Sequence, residues 1–278
     1  MRLGRRKPEI KTAEQLAAMR EAGLVVAAAL RATTEAVAPG VTTAQLDRFA
    51  EQVIKDAGAA PSFYGYYGFP AHICVSVNDE VVHGIPGARV LRDGDLVSID
   101  CGAIVRGWHG DAAVSVFAGE PPSVAAAKLS EATRESLWAG LAAAQAGATI
   151  GDVGFAVQNA VAAAGERDGV AYGIVDGYTG HGIGSAMHMD PNVPNVGRPG
   201  RGQALRIGMA IAVEPMVTLA RPGSSGRDSR ELDDGWTVVT ADGGLAAHWE
   251  HTVAVTAAGP WVLTAESGGG LLSGDPLA

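Results

Sequence analysis

Apolar positions along the chain switch between helical spacing and strand-like runs, and the switch occurs twice. Two long Ala-rich segments, residues 12–37 and 123–145, carry apolar residues at the three- and four-residue spacing of a helix. A shorter amphipathic segment follows each one, starting at Pro39 and at Ala146. Each pair of predicted helices precedes runs that are typical of strands. These runs are AHICVSV, DLVSID and AAVSVF in the first half, then AIAVEPMVTL, WTVVT and HWEHTVAVT in the second.

The two shorter helical segments resemble each other at an offset of 107 residues. Thr42 aligns with Thr149, and three residues later comes Gln45 or Asp152, which suits a helix N-cap. The other aligned pairs are Gly40 with Gly147, Leu46 with Val153, Ile54 with Val161 and Gly58 with Gly165. Chance similarity between Ala-rich helices would also give this alignment. Taken with the strands, however, it indicates a duplicated α+β unit.

A duplicated unit buries its sheets best when they join under a layer of helices. We therefore expect one domain over residues 12–265, between a basic segment at 1–11 and a flexible tail at 266–278. The joint between the halves is then the natural place for a functional site, and the polar loop 221–235 would overhang it.

Composition narrows the class of protein. The chain has 278 residues, 47% apolar, which is enough for a sizeable core, and its net charge of -9 disfavours a general polyanion binder. The basic segment is a local exception, and it is either a solvated tail or a contact for RNA or an acidic partner. The two cysteines, Cys74 and Cys101, form no disulfide framework, so we expect a reducing cytoplasm. We see no secretory signal and no apolar run long enough to span a bilayer.

The stretch DCGAIVRGWHGD places Asp100 and Asp111 in two strands of a predicted hairpin. If the turn is Val105–Arg106, or residues 104–107, the two carboxylates lie directly opposite each other with Cβ atoms about 5 Å apart. Like charges at that distance repel, which predicts a cation between them. A register shifted by one residue, or an exposed hairpin, would need no cation.

Further ligands for a cation are present elsewhere in the chain. Glu214 and Glu250 interrupt apolar strand patterns that contain no lysine, and a buried carboxylate is costly unless it is paired or metal-bound. Pro215 removes a ladder donor and predicts a bulge or an edge. His181, in TGHGIG, His188, in AMHMDP, and His83, in VVHGIP, are candidates, although each also fits a hydrogen-bonded structural histidine.

Four carboxylates and one imidazole form a plausible shell for two divalent ions about 3.5 to 4 Å apart. Such an oxygen-rich shell is a poor structural zinc site. It favours Mn, Fe or Co, with Zn also allowed.

The motifs VVHGIP, SIDCGAIVRGWHGD, GHGIG with MHMDP, VEPMV and WEHTVAVT occur in this order between about Glu14 and Ala257. In this order they resemble the type I methionine aminopeptidases. The resemblance implies the α+β pita-bread (creatinase/aminopeptidase) fold, with two pseudo-symmetric helix-helix-strand halves sharing a curved antiparallel sheet. It implies removal of the N-terminal methionine from nascent proteins and peptides that have a small second residue. The implied nucleophile is a metal-bridging hydroxide.

The resemblance also implies a role for each candidate residue. The implied metal ligands are Asp100, Asp111, His181, Glu214 and Glu250. Glu214 would also move the proton from the water to the leaving amine. The implied substrate contacts are His188, near the scissile carbonyl and its oxyanion, and His83, near the following amide nitrogen.

Similarity places the lining of a methionine pocket at Tyr66, Phe69, Cys74, Met187 and Trp236. Apolar, polarizable walls suit a thioether. Met187 stands where an aromatic residue is common in the family, and Phe69 where a tyrosine is common. Without the family, an aromatic cluster such as SFYGYYGFP more often reflects core or loop packing.

Several other functions compete with this interpretation. A pita-bread peptidase specific for Xaa-Pro bonds would have similar ligands but usually a large extra N-terminal domain, and a type II methionine enzyme would have a helical insertion. A catalytically inactive binding module would have lost ligands. We expect a cytoplasmic monomer that acts on nascent polypeptide N-termini and binds neither membranes nor specific nucleic acids. The ribosome is a candidate partner for the basic segment.

Overall fold

The computed structural model describes residues 8–272 and 275. It contains helices α1 (Ala13–Glu35), α2 (Thr43–Asp56), α3 (Val124–Ala143) and α4 (Ile150–Asp168). The N-caps predicted from sequence are confirmed. Gln45 N–H donates to the Thr42 hydroxyl at 3.3 Å, and the Asp152 carboxylate accepts the Thr149 backbone N–H at 2.7 Å. These caps fix where the second helix of each half begins.

The strands form three antiparallel sheets. Those in the first half of the chain are β1 (Ala60–Pro61), β2 (Ile73–Val77), β3 (Glu80–Val82), β4 (Asp95–Val105) and β5 (Trp108–Ala118). The second half contributes β6 (Tyr172–Ile174), β7 (Gly180–Gly182), β8 (Met189–Val193), β9 (Ala210–Val213), β10 (Met216–Leu219), β11 (Ser229–Glu231), β12 (Val238–Thr240), β13 (Ala246–His248), β14 (Glu250–Thr256) and β15 (Gly259–Val262). Nine strands form the main sheet, in the order β1-β4-β5-β14-β9-β7-β8 with β2 on β4 and β15 on β14. The smaller sheets are β13-β10-β6 and β11-β12-β3.

The duplication is visible in how each helix pair packs. In the first half, apolar side chains of α1 and α2, such as Val26 and Leu46, pack against β2, β4 and β5. In the second half, α3 and α4 pack against β9, β14 and β15 through residues such as Leu137 and Val153. The pairing of β5 with β14 joins the two halves into one sheet. The predicted α+β fold with two related halves is therefore confirmed.

Helix α1 approaches the main sheet unusually closely at one point. Gly23 of α1 lies against Gly110 of β5, and a Cβ on Gly110 would be 2.8 Å from the Gly23 backbone nitrogen. No side chain fits there without moving the backbone. This contact positions α1 beside the residue that precedes Asp111.

The predicted register of the β4–β5 hairpin is wrong. The turn consists of Arg106 and Gly107, both with positive φ (51° and 81°), so that Val105 pairs with Trp108. Positive φ at both central residues is the geometry of a two-residue hairpin whose twist matches its strands. As a result, Asp111 lies opposite Gly102, and Asp100 lies opposite Ala113. The two aspartates are diagonal neighbours on one face instead of a directly opposed pair.

Two runs predicted as continuous strands are each broken in two. AIAVEPMVTL forms β9 and β10, which end and begin on either side of Glu214–Pro215, and HWEHTVAVT forms the end of β13 and then β14. In both cases the chain passes between the main sheet and the sheet β13-β10-β6. Pro215 has no N–H for a ladder, which favours the break at that position. Both glutamates therefore lie where the chain changes sheets.

The ends of the chain lie partly within the described residues. Arg2, Arg5, Arg6 and Lys7 of the basic segment fall outside them, whereas Lys11 is buried and its backbone N–H donates to Gly208 O at 2.7 Å. At the other end, the Arg20 guanidinium donates to the carbonyls of Ala265 and Glu266, both at 2.6 Å. The domain boundaries at residues 12 and 265 stay a prediction. Within the described part of the chain, no helix has the length and apolarity needed to cross a membrane.

Candidate metal centre

Four carboxylates converge where the two halves of the main sheet meet. Cys74, Asp100, Ala113 and Glu250 form one row of paired positions across β2, β4, β5 and β14. Glu214 follows the residue of β9 that pairs with His251, so it comes next to Glu250. We call Asp100, Asp111, Glu214 and Glu250 the carboxylate cluster. Two of its members come from each half of the chain.

Hydrogen bonds fix the backbone at Asp111. The Thr252 hydroxyl on β14 donates to Asp111 O at 2.8 Å and accepts the Asp111 N–H at 3.1 Å. Thr252 thereby links β5 to β14 beside the cluster. The carboxylate of Asp111 is left to face the cavity.

His181 presents one ring nitrogen to the carboxylate cluster. Its Nδ1 donates to Gly182 O at 2.9 Å, because a carbonyl can only accept. This hydrogen bond leaves the lone pair on Nε2, which lies 3.6 Å from Glu214 Oε1 and 3.9 Å from Asp111 Oδ2. An imidazole held in this tautomer is ready to bind a cation.

The protein compensates the charge of the cluster poorly. Burial raises the pKa of Asp100 to about 7 and that of Glu214 to about 8. Burial and the neighbouring carboxylates raise the pKa values of Asp111 and Glu250 well above their usual range. Only histidines approach these carboxylates within ion-pair distance among the described residues. Such a cluster is costly to bury unless a cation binds it.

The donor atoms are also spaced for metal ions. Asp100 Oδ1, Asp111 Oδ1 and Glu250 Oε1 are buried without a hydrogen-bond donor. Two groups of ligand atoms each lie within 4.8 Å of one another, namely Asp111, His181 and Glu250, and Glu214, His248 and Glu250. Unpartnered carboxylate oxygens and imidazole nitrogens at this spacing fit divalent cations. The residues present therefore suit the metal ions that the sequence predicts.

A cavity of about 130 Å³, which we call the side-chain cavity, opens beside the cluster. Its apolar wall contains all five residues predicted for it, namely Tyr66, Phe69, Cys74, Met187 and Trp236. Phe63, which the sequence analysis did not select, belongs to the same wall and meets Phe69 edge to face with ring centroids 6.5 Å apart. The volume and the lining suit one apolar side chain.

His188 stands at the rim of the side-chain cavity. Its Nδ1 lies 2.8 Å from the Tyr66 hydroxyl, and its ring centroid lies 4.3 Å from that of His181. Desolvation lowers the pKa of His188, which keeps the ring neutral at pH 7. When the Tyr66 hydroxyl donates to Nδ1, the Nε2–H of His188 is free to donate to a substrate oxygen.

His83 occupies a strained position directly after β3. Its φ of 62° is left-handed, which is uncommon outside glycine and occurs often at functional sites. Burial, together with the unfavourable interaction of a protonated His83 with the neighbouring His248 and His188, lowers the pKa of His83 to about 4. With His181, His188 and Glu214, His83 also lines a larger cleft of about 610 Å³ that contains Tyr178 and Asn192. These four shared residues mark the junction between the side-chain cavity and the cleft.

His248, the last residue of β13, was not predicted as a site residue, although its Nε2 lies 3.6 Å from Glu214 Oε2. A signal was present, since His248 and Glu250 are two residues apart in a strand-like run and would share a face. The predicted site residues, by contrast, all lie around the cluster or its cavity.

Comparison with known proteins identifies the family. The sequence pattern of Metallopeptidase family M24 matches residues 17–257. Methionine aminopeptidase 1 of Mycobacterium tuberculosis is 56% identical over 262 residues, which cover 94% of this chain and 96% of that protein. The chain belongs to the type I methionine aminopeptidases of family M24.

Other members of the family agree. Methionine aminopeptidase 1 of Bacillus subtilis is 45% identical and covers 91% of this chain and 98% of that protein. The crystal structure of the Thermotoga maritima methionine aminopeptidase matches with a TM-score of 0.87 and 38% identity, over 94% of this chain and 100% of that one. The prolidase of Pyrococcus furiosus, with a TM-score of 0.71 and 21% identity, shares the fold.

As a methionine aminopeptidase, the chain is a hydrolase that removes the N-terminal methionine of polypeptides and binds divalent metal. The converging carboxylates and the adjoining apolar cavity are the parts of the structure that such an activity needs. The predicted family, fold and enzyme class are confirmed.

Proposed function

We propose that the enzyme acts on nascent chains whose second residue is small, with two divalent cations held by Asp100, Asp111, His181, Glu214 and Glu250. One observation carries this proposal. The carboxylate cluster, which no Lys or Arg pairs with among residues 8–272, lines the same cavity as an apolar wall sized for one side chain. Charge that requires cations thus adjoins a pocket that suits methionine.

When bound, the cations would lower the pKa of the attacking water, polarise the scissile carbonyl and bind the free α-amine. Glu214 would accept the proton of the water on a carboxylate oxygen and pass it to the leaving amine.

The two rim histidines would orient the peptide and stabilise charge. The Nε2–H of His188 would donate to the oxyanion, while the Tyr66 hydroxyl holds the ring through Nδ1. A single donor of this kind is worth about 3 kcal/mol in the transition state. His83 would contact the amide nitrogen that follows the scissile bond, since it lines both the cavity and the cleft.

The proposed specificity follows from the position of the junction. The methionine side chain would fill the side-chain cavity, and the rest of the peptide would lie in the 610 Å³ cleft. The second side chain would then meet His83, His181 and His188 at the junction. A bulky second residue would crowd these histidines and slow the reaction.

The identity of the metal and the cellular setting are also proposed. The oxygen-rich ligand set favours Mn, Fe or Co, with Zn allowed. We infer a cytoplasmic location, because Cys74 and Cys101 are both free and buried, as in a reducing compartment. We also propose that the enzyme acts as a monomer. The basic residues Arg2, Arg5, Arg6 and Lys7 would contact the ribosome, which would bring the enzyme to nascent N-termini.

The test combines metal analysis with peptide assays. Protein purified anaerobically is analysed for metal, dialysed against EDTA and reloaded with Mn(II), Fe(II), Co(II) or Zn(II). We expect cleavage of Met-Ala-Ser only after metal is returned, slower cleavage of Met-Leu-Ser and no cleavage of Ala-Pro-Ser. Asp111→Asn should lower metal content and activity together, whereas exposed Asp56→Asn, the matched control, should leave both unchanged.

His188→Ala separates the chemistry from metal binding. It should keep the metal content and lower kcat by about 100-fold, since it removes one oxyanion donor. Equal loss of metal and activity in this variant would refute the role of His188. Cleavage of Ala-Pro-Ser in preference to Met-Ala-Ser would refute the proposed specificity.

A further inference from the structure

His248 is a buried histidine at the metal centre that the five proposed ligands do not include. Its side chain is 2% exposed, and its Nε2 has no hydrogen-bond partner. A buried polar nitrogen without a protein partner is uncommon and needs an explanation, such as a bound ion, an ordered water or a catalytic role. The question is therefore what Nε2 of His248 binds.

The distances from His248 Nε2 to the nearest carboxylates are too long for a hydrogen bond. Nε2 lies 3.6 Å from Glu214 Oε2 and 3.9 Å from Glu250 Oε2. Hydrogen bonds from nitrogen to oxygen rarely exceed about 3.2 Å. Two donors that share a cation with bonds of about 2.1 Å lie roughly 3 to 3.5 Å apart, so these separations are closer to a shared cation.

His181 provides an internal standard for this geometry. Its Nε2 lies 3.6 Å from Glu214 Oε1 and 3.9 Å from Asp111 Oδ2, which are the same two separations. The Glu214 carboxylate thus lies between two imidazole nitrogens, one facing each of its oxygens. The separations that make His181 a suitable metal ligand are therefore also found at His248.

The backbone at His248 is held firmly enough to aim the ring. The His248 N–H donates to Ser115 Oγ at 2.9 Å, and Ser115 Oγ donates to His248 O at 2.8 Å. Ser98 Oγ lies 2.7 Å from Ser115 Oγ and completes a link between β13 and the β4–β5 hairpin. This link ties His248 to the two strands that carry Asp100 and Asp111.

We propose that His248 is a sixth ligand of the metal centre and binds, through Nε2, the cation that Glu214 and Glu250 hold. The proposal rests on the metal centre proposed above and adds a second nitrogen donor to it. A second imidazole shifts the centre toward borderline metals such as Co(II) and Zn(II) and away from Mn(II). The metal preference of the enzyme would then depend on His248, which is not among the residues that line the side-chain cavity.

The test counts the histidine ligands directly. Protein saturated with Co(II) is examined by paramagnetic proton NMR in H2O and in D2O, since each Co(II)-bound imidazole gives one strongly shifted N–H signal that exchanges with solvent. We expect two such signals in the wild type and one in His248→Gln. His181→Gln should also leave one signal, and His251→Gln, a change at a neighbouring half-buried histidine, should leave both.

One exchangeable signal in the wild type would overturn the proposal, whatever the stability of the variants. Metal affinity alone does not show whether His248 is a ligand or only orients one, because losing a residue that orients a ligand also weakens metal binding by about 10- to 100-fold. Wild type that binds Co(II), cleaves Met-Ala-Ser and shows one signal refutes only the sixth ligand. Wild type that shows no shifted signals and no cleavage refutes the metal centre itself.

Discussion

At the scale of single residues, the hydrogen bond between Tyr66 and His188 is the contact that the proposed mechanism makes most specific to turnover. The Tyr66 hydroxyl lies 2.8 Å from His188 Nδ1, and in that mechanism it sets which ring nitrogen carries the proton toward the substrate. We expect Tyr66→Phe to lower kcat for Met-Ala-Ser by about 3- to 10-fold, because a hydrogen bond contributes about 0.5 to 1.5 kcal/mol. Steady-state kinetics should show little change in KM or metal content.

The matched control is Tyr67→Phe, which removes the hydroxyl of an adjacent, exposed tyrosine. It should leave kcat unchanged. If Tyr66→Phe instead raises KM at constant kcat, Tyr66 acts only as a wall of the side-chain cavity.

Single residues also show what sequence can and cannot predict. Glu214 and Glu250 could be identified from the sequence because a carboxylate inside an apolar strand pattern is costly to bury unless it is paired or metal-bound. The hairpin register was not, because it depended on Arg106 adopting positive φ, which its residue type does not favour. His248 was missed because a histidine, unlike a carboxylate, is ordinary in a strand. Its shared face with Glu250 was a weak signal, and the geometry around its Nε2 is what distinguishes it from a structural histidine.

At the scale of elements, the chain before α1 supports the loop that carries part of the active site. The Glu9 carboxylate accepts from the Ser185 N–H at 3.1 Å and from the Ser185 hydroxyl at 2.6 Å, and it pairs with buried Lys11 at 3.4 Å. Gly184 O in turn accepts the His109 N–H of β5 at 3.0 Å. The loop that precedes Met187 and His188 is thereby held from two sides.

We therefore expect Glu9→Ala to loosen this loop. Two hydrogen bonds are lost, so the expected effect is a roughly 5- to 10-fold lower kcat/KM for Met-Ala-Ser, with metal content unchanged. Glu14→Ala, at an exposed position in the first turn of α1, is the matched control and should have wild-type kinetics. Unchanged kinetics in Glu9→Ala would mean that the loop is held without the N-terminal segment.

Elements were predictable where a local rule applied. The four helices follow from apolar spacing and from hydroxyl caps, and these need only nearby residues. The breaks at Glu214–Pro215 and at Trp249 depend on two sheets meeting in space, which no short window of sequence contains. The motifs therefore indicated the site residues, while the path of the strands that bring them together required the structure.

At the scale of the whole molecule, the metal centre connects the two halves of the duplication. Asp100 and Asp111 come from the first half, Glu214 and Glu250 from the second, and their mutual repulsion opposes the union of β5 with β14. The proposed cations, bound only by the folded protein, would convert this repulsion into cross-links. The centre should therefore determine stability as well as activity.

Metal removal should lower the melting temperature. A ligand at 100 times its Kd stabilises the folded state by about 2.7 kcal/mol, which corresponds to about 5 to 10 °C in a chain of this size. Scanning calorimetry at pH 7.5 of EDTA-dialysed protein, with and without Mn(II) or Co(II), measures the shift.

Without metal, Asp111→Asn should have a higher melting temperature than wild type, because one of the four crowded carboxylates is replaced by a neutral amide. With metal, the melting temperature of Asp111→Asn should rise less than that of wild type. Asp233→Asn, an exposed control, should follow the wild type in both states. If Asp111→Asn melts below wild type in EDTA, repulsion within the cluster does not limit the stability of the metal-free protein.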